Sequence, residues 1–277
     1  MERTGALRRR AYGTSGPVVV VLHGGPAAVG SAAPLARGLT AAFRVLEPWQ
    51  RGSGGEPLTV ARHIADLHAL LDSCCAGARP VLVGESWGAM LALAYAAVHP
   101  ASVGSLVLVG CGTFDPAARA RLRATLEERM GDELRHRLDH LAEELPDPGD
   151  QLTKRYELTR GLYTYAPIAA AQEEGAGEPF DVRAHTETWA DMVRLQEAGV
   201  YPAAFAAITS PVLMLHGTYD PHPGPMIRAS LAPYLPQLEY HEWERCGHWP
   251  WDEKYVHDKF FAVLHEWLAR QTASSGG

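Results

Sequence analysis

The 277-residue chain has only four cysteines, no excess of positive charge and no apolar run long enough to cross a bilayer. Cys74, Cys75, Cys111 and Cys246 are spaced neither as a disulfide framework nor as paired zinc ligands, so no metal is expected and a reducing, cytoplasmic compartment is the natural setting. A formal net charge of −7 argues against a nucleic-acid or anionic-membrane binder, either of which needs a concentrated basic face. Arg8, Arg9 and Arg10 cluster near the start, but Ala11 to Gly16 follow where an export signal would need an apolar segment. The longest apolar run, Ala89 to Val98, is about half of a spanning helix. Repeats and low-complexity stretches are missing too, apart from a short Ser/Gly tail at 273–277, which is expected to be disordered.

What the sequence does have is alternation. Short aliphatic runs at Pro17 to Leu22, Phe43 to Glu47, Pro80 to Gly84 and Val103 to Val109 are separated by helical patterns at Ser31 to Ala42, Leu58 to Cys75 and Trp87 to His99. Continuous runs such as Val18-Val19-Val20-Val21-Leu22 are typical of parallel strands covered on both faces, which predicts an α/β fold with a doubly wound, mostly parallel sheet. Residues 114–208 then read as helices rich in Arg and Glu, with breaks at Pro146-Asp147-Pro148-Gly149, Pro167 and Gly175 to Pro179. Strand patterns resume at Pro211 to His216 and Leu238 to Trp243, and a helix from about Asp252 to Ala269 closes the chain. The expected organisation is therefore a core of 1–113 and 209–272 with a helical cap inserted between two of its strands. Residues 115–200 hold 18 acidic against 11 basic residues, a difference of −7 that accounts for the whole net charge. A solvated helical surface explains this; an acidic rim that attracts cationic substrates is the sharper alternative.

The chemistry is concentrated in loops at one edge of the sheet. Gly84-Glu85-Ser86-Trp87-Gly88 lies between a strand and a helix, the context in which a G-x-S-x-G turn exposes a nucleophilic serine and the next N–H groups face developing negative charge. Ser86 needs a base, because a serine hydroxyl is a poor nucleophile until its proton is accepted. Among 13 histidines the best placed is His248, in the Cys246-Gly247-His248-Trp249 loop between the last strand and the last helix. Asp220, in the loop after Leu213-Met214-Leu215-His216, is the acid expected to orient it, with Asp115 as rival. The order Ser, Asp, His is that of α/β-hydrolases. The turn His23-Gly24-Gly25-Pro26 supplies a second backbone donor: Gly25 is assigned, with Gly24 the near alternative, to complete an oxyanion hole with Trp87, while His23 reads as a hydrogen-bonder of the turn. Trp49, Trp249 and Trp189 are candidates for an aromatic substrate pocket, against the reading that they pack the insertion onto the core. His136 and His140 stand four apart on a helix without the glutamate of a zinc motif and read as solvated surface.

These motifs together resemble the proline-iminopeptidase-like branch of the α/β-hydrolase superfamily, which combines HGGPG, DQRGxGxS, GxSWG, GxxD and a late GH. Here they stand as His23-Gly24-Gly25-Pro26-Ala27, Trp49-Gln50-Arg51-Gly52-Ser53-Gly54-Gly55-Glu56, Gly84-Glu85-Ser86-Trp87-Gly88, Gly217-Thr218-Tyr219-Asp220 and Gly247-His248, over nearly the whole chain outside the insertion. Ala27, Trp49 and Glu56 depart from the pattern. The resemblance also implies glutamates in the insertion that bind a free amine; Glu173, Glu174, Glu178 and Glu187 do not match by pattern, so that specificity is not carried over.

The expected activity is a serine hydrolase cleaving a small ester or amide through an acyl-enzyme, esterase-like before aminopeptidase-like, with no cofactor, a small-molecule substrate and neither nucleic acid nor membrane as partner. A ligand-binding receptor or pseudoenzyme, or a lyase or acyltransferase on the same scaffold, are the alternatives from other classes.

Overall fold

In the computed structural model, which describes residues 7–75, 77–168 and 180–273, seven segments pair into one sheet. They are Arg9–Tyr12 (β1), Val18–Leu22 (β2), Arg44–Pro48 (β3), Val81–Glu85 (β4), Ser105–Val109 (β5), Val212–Gly217 (β6) and Leu238–Trp243 (β7), in the spatial order β1-β3-β2-β4-β5-β6-β7. β1 runs antiparallel to β3 and every other pairing is parallel. The side-chain period of two sends alternate residues to opposite faces. Val20, Leu22, Leu82, Leu106, Leu108, Val212 and Met214 face one core layer, and Val19, Val21, Val81, Val83, Val107, Val109, Leu213 and Leu215 face the other. Both layers are buried, so the central strands read as unbroken aliphatic runs.

Helices Ala33–Gly38 (α1), Val60–Cys75 (α2) and Trp87–Val98 (α3) alternate with the strands. α3 is buried almost all round, which is why Trp87 to Ala96 contains no charged residue. Between β5 and β6 lie Pro116–Arg129 (α4), Asp132–Asp139 (α5), Leu141–Glu144 (α6), Pro148–Thr159 (α7) and Val182–Glu197 (α8). Aspartates start three of these: Asp115 accepts the Ala118 N–H, Asp147 those of Gly149 and Asp150, and Asp181 that of Ala184. The end of the insertion is part of the core, because Tyr201, Phe205 and Ile208 are buried in the same cluster as the sheet. Gly224–Leu231 (α9) and His257–Ala273 (α10) complete the molecule.

Three elements differ from expectation. The arginine-rich start forms an edge strand, β1, whose polar side chains can stay in water. α9 begins at a Gly-Pro pair that hides a helix start from pattern reading. α10 starts at His257, after a short 3-10 turn at Pro250–Asp252, and runs through Ala273. Of the expected tail at 273–277, Ala273 ends α10, and 274–277 lie outside the described residues. Among the described residues no helix is long and apolar enough to cross a membrane.

The chain passes from β2 outward to β3, then returns to the other side of β2 to form β4. Such a reversal leaves a crevice at the carboxyl ends of the two strands, where ligands of open α/β sheets bind. The Gly24-Gly25 turn follows β2 and Ser86 follows β4, so both candidate oxyanion donors flank that crevice.

Candidate active site

Ser86 sits between β4 and α3 with φ 52° and ψ −116°, a left-handed conformation that an L residue holds only when its surroundings force it. The force comes from close packing. A Cβ on Gly84 would stand 2.3 Å from the Gly88 carbonyl, and one on Gly88 would stand 2.2 Å from the Leu22 oxygen. The Ser86 N–H donates to the Val109 carbonyl at 2.8 Å, which fixes the turn to β5 and leaves its side chain partly exposed.

Asp220 and His248 come from the loops after β6 and β7. Gly217, whose Cβ would stand 2.2 Å from the Cys246 oxygen, lets these loops touch. His248 Nδ1 donates to Asp220 Oδ2 at 2.7 Å, which leaves Nε2 of the neutral ring as a proton acceptor. Burial opposes a charge on His248, but the Asp220 carboxylate more than offsets it and raises the pKa, with Glu85 adding to the effect. Burial likewise acts against the Asp220 anion, yet His248, His222 and His216 hold its carboxyl well below the usual range. Asp115 is elsewhere: it caps α4 through the Ala118 N–H at 2.8 Å.

The turn after β2 distinguishes its two glycines. Gly24 donates its N–H to Glu85 Oε1 at 2.9 Å, so that donor is occupied. Gly25, at φ 110°, has an N–H that no acceptor among the described residues takes, as has Trp87 at the start of α3. His23 is fully buried, receives the Gln50 N–H on Nε2 at 3.1 Å and donates Nδ1 to the Gly24 carbonyl at 3.0 Å. Burial pushes its pKa down to about 4, consistent with a neutral brace of the turn.

Of the three tryptophans assigned to a pocket, Trp249 packs against His248. Trp249 meets the His248 ring edge-on at 4.9 Å, donates its indole N–H to Glu85 Oε2 at 3.1 Å and lies under the Arg160 guanidinium. Trp189 packs edge-on against Trp87, whose indole is fully buried and bonded to Gln50, so this pair joins insertion to core. Trp49 stands at the β1 edge, its backbone N–H donating to the Arg8 carbonyl at 2.8 Å and its ring under the Arg8 and Arg10 guanidiniums.

Three residues that pattern reading missed hold this arrangement. Glu85 accepts from Gly24, Ser31 and Trp249. Glu253 accepts the N–H groups of Gly247, Tyr165 and Ala166. His222 binds the second oxygen of Asp220. The sequence signals were slight: an acid inside the serine turn, an acid five residues after His248, and a histidine two after Asp220. Asp220, His222 and His248 also form the group of potential metal-binding atoms among the described residues, all within 4.8 Å. Their facing atoms already hydrogen-bond one another, so imidazole protons occupy the place a cation would take.

The insertion touches the site at several points. Tyr163 gives its carbonyl to the His248 N–H at 2.8 Å, and His185 Nδ1 binds the Pro26 carbonyl at 3.0 Å. Glu187, one of the four glutamates considered for an amine, accepts the Leu58 N–H and pairs with Arg183. Glu173, Glu174 and Glu178 lie outside the described residues.

A model of the alpha/beta hydrolase family matches residues 19–262. The chain belongs to the alpha/beta hydrolase family. The chain is similar to a proline iminopeptidase of Neisseria gonorrhoeae, 36% identical over 116 residues that cover 39% of this chain and 36% of the relative. It is also similar to a 2-hydroxymuconate semialdehyde hydrolase of Pseudomonas sp. (strain CF600), 28% identical over 196 residues, 70% of this chain and 63% of the relative. The chain thus matches less than two thirds of the length of either. Among solved structures, a thermophilic esterase from Thermogutta terrifontis aligns with a TM-score of 0.62 at 22% identity, over 96% of this chain and 93% of that one. An E-2-(acetamidomethylene)succinate hydrolase gives a TM-score of 0.62 at 21% identity over 95% of each chain. At these identities the likeness is one of fold.

Proposed function

We propose that this protein is a serine hydrolase that cleaves a small ester or amide through an acyl-enzyme. Ser86 attacks the carbonyl while His248 Nε2 accepts its proton, and Asp220 holds the imidazole in the required tautomer. The Gly25 and Trp87 N–H groups stabilise the oxyanion. The leaving group departs with the proton from His248, and water repeats the sequence to release the acid. The observation that carries this reading is the 2.7 Å contact of His248 Nδ1 with Asp220, together with a serine held at φ 52° in the turn between β4 and α3. The helices between β5 and β6 act as a cap that excludes water and shapes the acyl pocket, which is supported by the Tyr163–His248 and His185–Pro26 contacts.

An ester is the favoured substrate. Amine recognition needs a carboxylate with bonding capacity to spare, and three acids of the insertion are already committed to the core. Asp181 accepts the Ser53 N–H, Glu187 that of Leu58 and Asp191 that of Val60. The second reading, an aminopeptidase of the iminopeptidase type, is favoured by the 36% identity to the gonococcal enzyme. Assay of p-nitrophenyl esters beside aminoacyl-naphthylamides, prolyl included, separates the two. Ser86→Ala decides the mechanism: turnover should fall by about three orders of magnitude or more, and a fluorophosphonate that labels the wild type should fail to label the variant. Near-normal turnover in that variant would overturn the reading.

A further inference from the structure

Asp220 carries a second imidazole that the proposed mechanism does not use. Its Oδ2 accepts His248 Nδ1, while Oδ1 accepts both the backbone N–H and Nδ1 of His222, each at 2.9 Å. The His222 ring lies nearly flat against that of His248, with centroids 4.7 Å apart and planes at 22°. His216 Nε2 donates to the His222 carbonyl at 2.9 Å and stands 3.3 Å from Oδ2. Tyr163, from the insertion, covers His222 at 6.0 Å.

Two consequences follow from this geometry. A carboxylate gripped on Oδ1 by two donors of one residue cannot rotate about its Cβ–Cγ bond, so Oδ2 stays aimed at His248. One negative charge is also divided between two imidazole N–H donors on its opposite oxygens, which limits how strongly Asp220 acts on His248. Burial lowers the pKa of His222 against the pull of Asp220, so it serves here as a neutral donor.

We propose that His222 is a positioning residue, fixing Asp220 through its Nδ1–H and setting the share of that charge available to His248. The proposal rests on reading Ser86, His248 and Asp220 as the reacting triad. The ionisable groups around His222 are Asp220, His216, His248 and Tyr163, and Glu85 and Arg160 act on His248 from its far side.

Two substitutions separate the donor from the ring. His222→Phe keeps the stacked ring and removes the donor. His222→Asn removes the ring but places an N–H at the same number of bonds from the backbone. His222→Phe should lower kcat by about 10- to 100-fold with KM within roughly twofold, as expected for loss of a hydrogen bond to a charged group. The His248 imidazole, followed by NMR titration, should take up its proton at higher pH than in the wild type, because Asp220's charge is no longer shared. His222→Asn should return both kcat and the His248 titration most of the way to wild type. A folded His222→Phe enzyme with unchanged kcat and unchanged His248 titration overturns the proposal. So does a His222→Asn variant as impaired as His222→Phe, since the ring would then be what matters. If Ser86→Ala retains turnover the triad reading fails, and the His248 titration still decides whether His222 governs Asp220.

Discussion

The indole N–H of Trp249 donates to Oε2 of Glu85 at 3.1 Å, joining residues 164 positions apart. The same carboxylate takes the Gly24 N–H and the Ser31 hydroxyl on Oε1, so one buried anion ties the turn after β2 to the loop that carries His248. This also leaves Gly25, not Gly24, with the free donor. A charge that is paid for by three hydrogen bonds can be kept in a desolvated site, where its field still reaches His248.

Glu85→Gln therefore has two expected effects. The amide can still accept from Gly24 and Ser31 but turns a second donor, its NH2, against the Trp249 indole, so kcat should fall about tenfold. Removing the negative charge also lowers the His248 pKa, and the acid limb of the pH profile should move to lower pH. An upward move would mean that Glu85 does not act on His248 as an anion.

The two candidate acids give opposite responses to the same change. Asp220→Asn should reduce kcat by about 10⁴-fold, since the amide cannot hold the tautomer or stabilise the imidazolium. Asp115→Asn should leave kcat within about twofold and stability within about 0.5 kcal/mol, because Asn caps a helix about as well as Asp. Steady-state kinetics and denaturant melts of the two variants test this, and equal damage would refute the assignment.

The direction of the His248 shift fixes the pH dependence. Only the neutral imidazole accepts the serine proton, and the group's pKa is raised above 6.5. As pH falls through that raised value His248 protonates, so kcat/KM should lose its activity along an acid limb centred above 6.5. Asp220→Asn removes the cause of the rise, and any residual activity should show a limb displaced to lower pH.

How much of this was legible in the sequence depends on whether a signal was local. The aliphatic runs of β2, β4 and β6 and the serine turn are local patterns, and Leu238–Trp243 was bounded correctly from its pattern alone. Ser86, Asp220 and His248 are each marked by a neighbouring glycine and a strand, so motif and context single them out together, and the fold joins two of them in the Asp220–His248 contact. β1 was not legible, because it is a strand only through pairing with β3; its own residues, Arg9 and Arg10 among them, carry no alternation toward a core. Glu85, His222 and Glu253 act through partners brought close by the fold, and a lone acid or histidine in a loop has no pattern to betray that. Trp49 shows the converse: adjacency to the Gln-Arg-Gly motif placed it near the site in sequence, while Arg8 and Arg10 hold it at the sheet edge.

Glu253 makes the last test, because it couples the insertion to the base. It is fully buried, and its carboxylate accepts Gly247 at 2.9 Å and Tyr165 and Ala166 at 2.7 Å each. Backbone bonds from Lys254 to Ala166 and from Ile168 to Asp252 extend the seam. Glu253→Ala leaves three N–H donors without acceptors in a space water reaches poorly, so unfolding stability should fall by about 3–5 kcal/mol in denaturant titration. Glu253→Gln retains one acceptor oxygen and should cost roughly half as much. In the glutamine variant kcat should drop further than folding alone explains, because Gly247 immediately precedes His248 and its anchor is weakened. Amide hydrogen exchange should rise at Gly247, Tyr165 and Ala166 together. Independent exchange at those three sites, with kcat intact, would show that the insertion and the histidine loop are not coupled through this carboxylate.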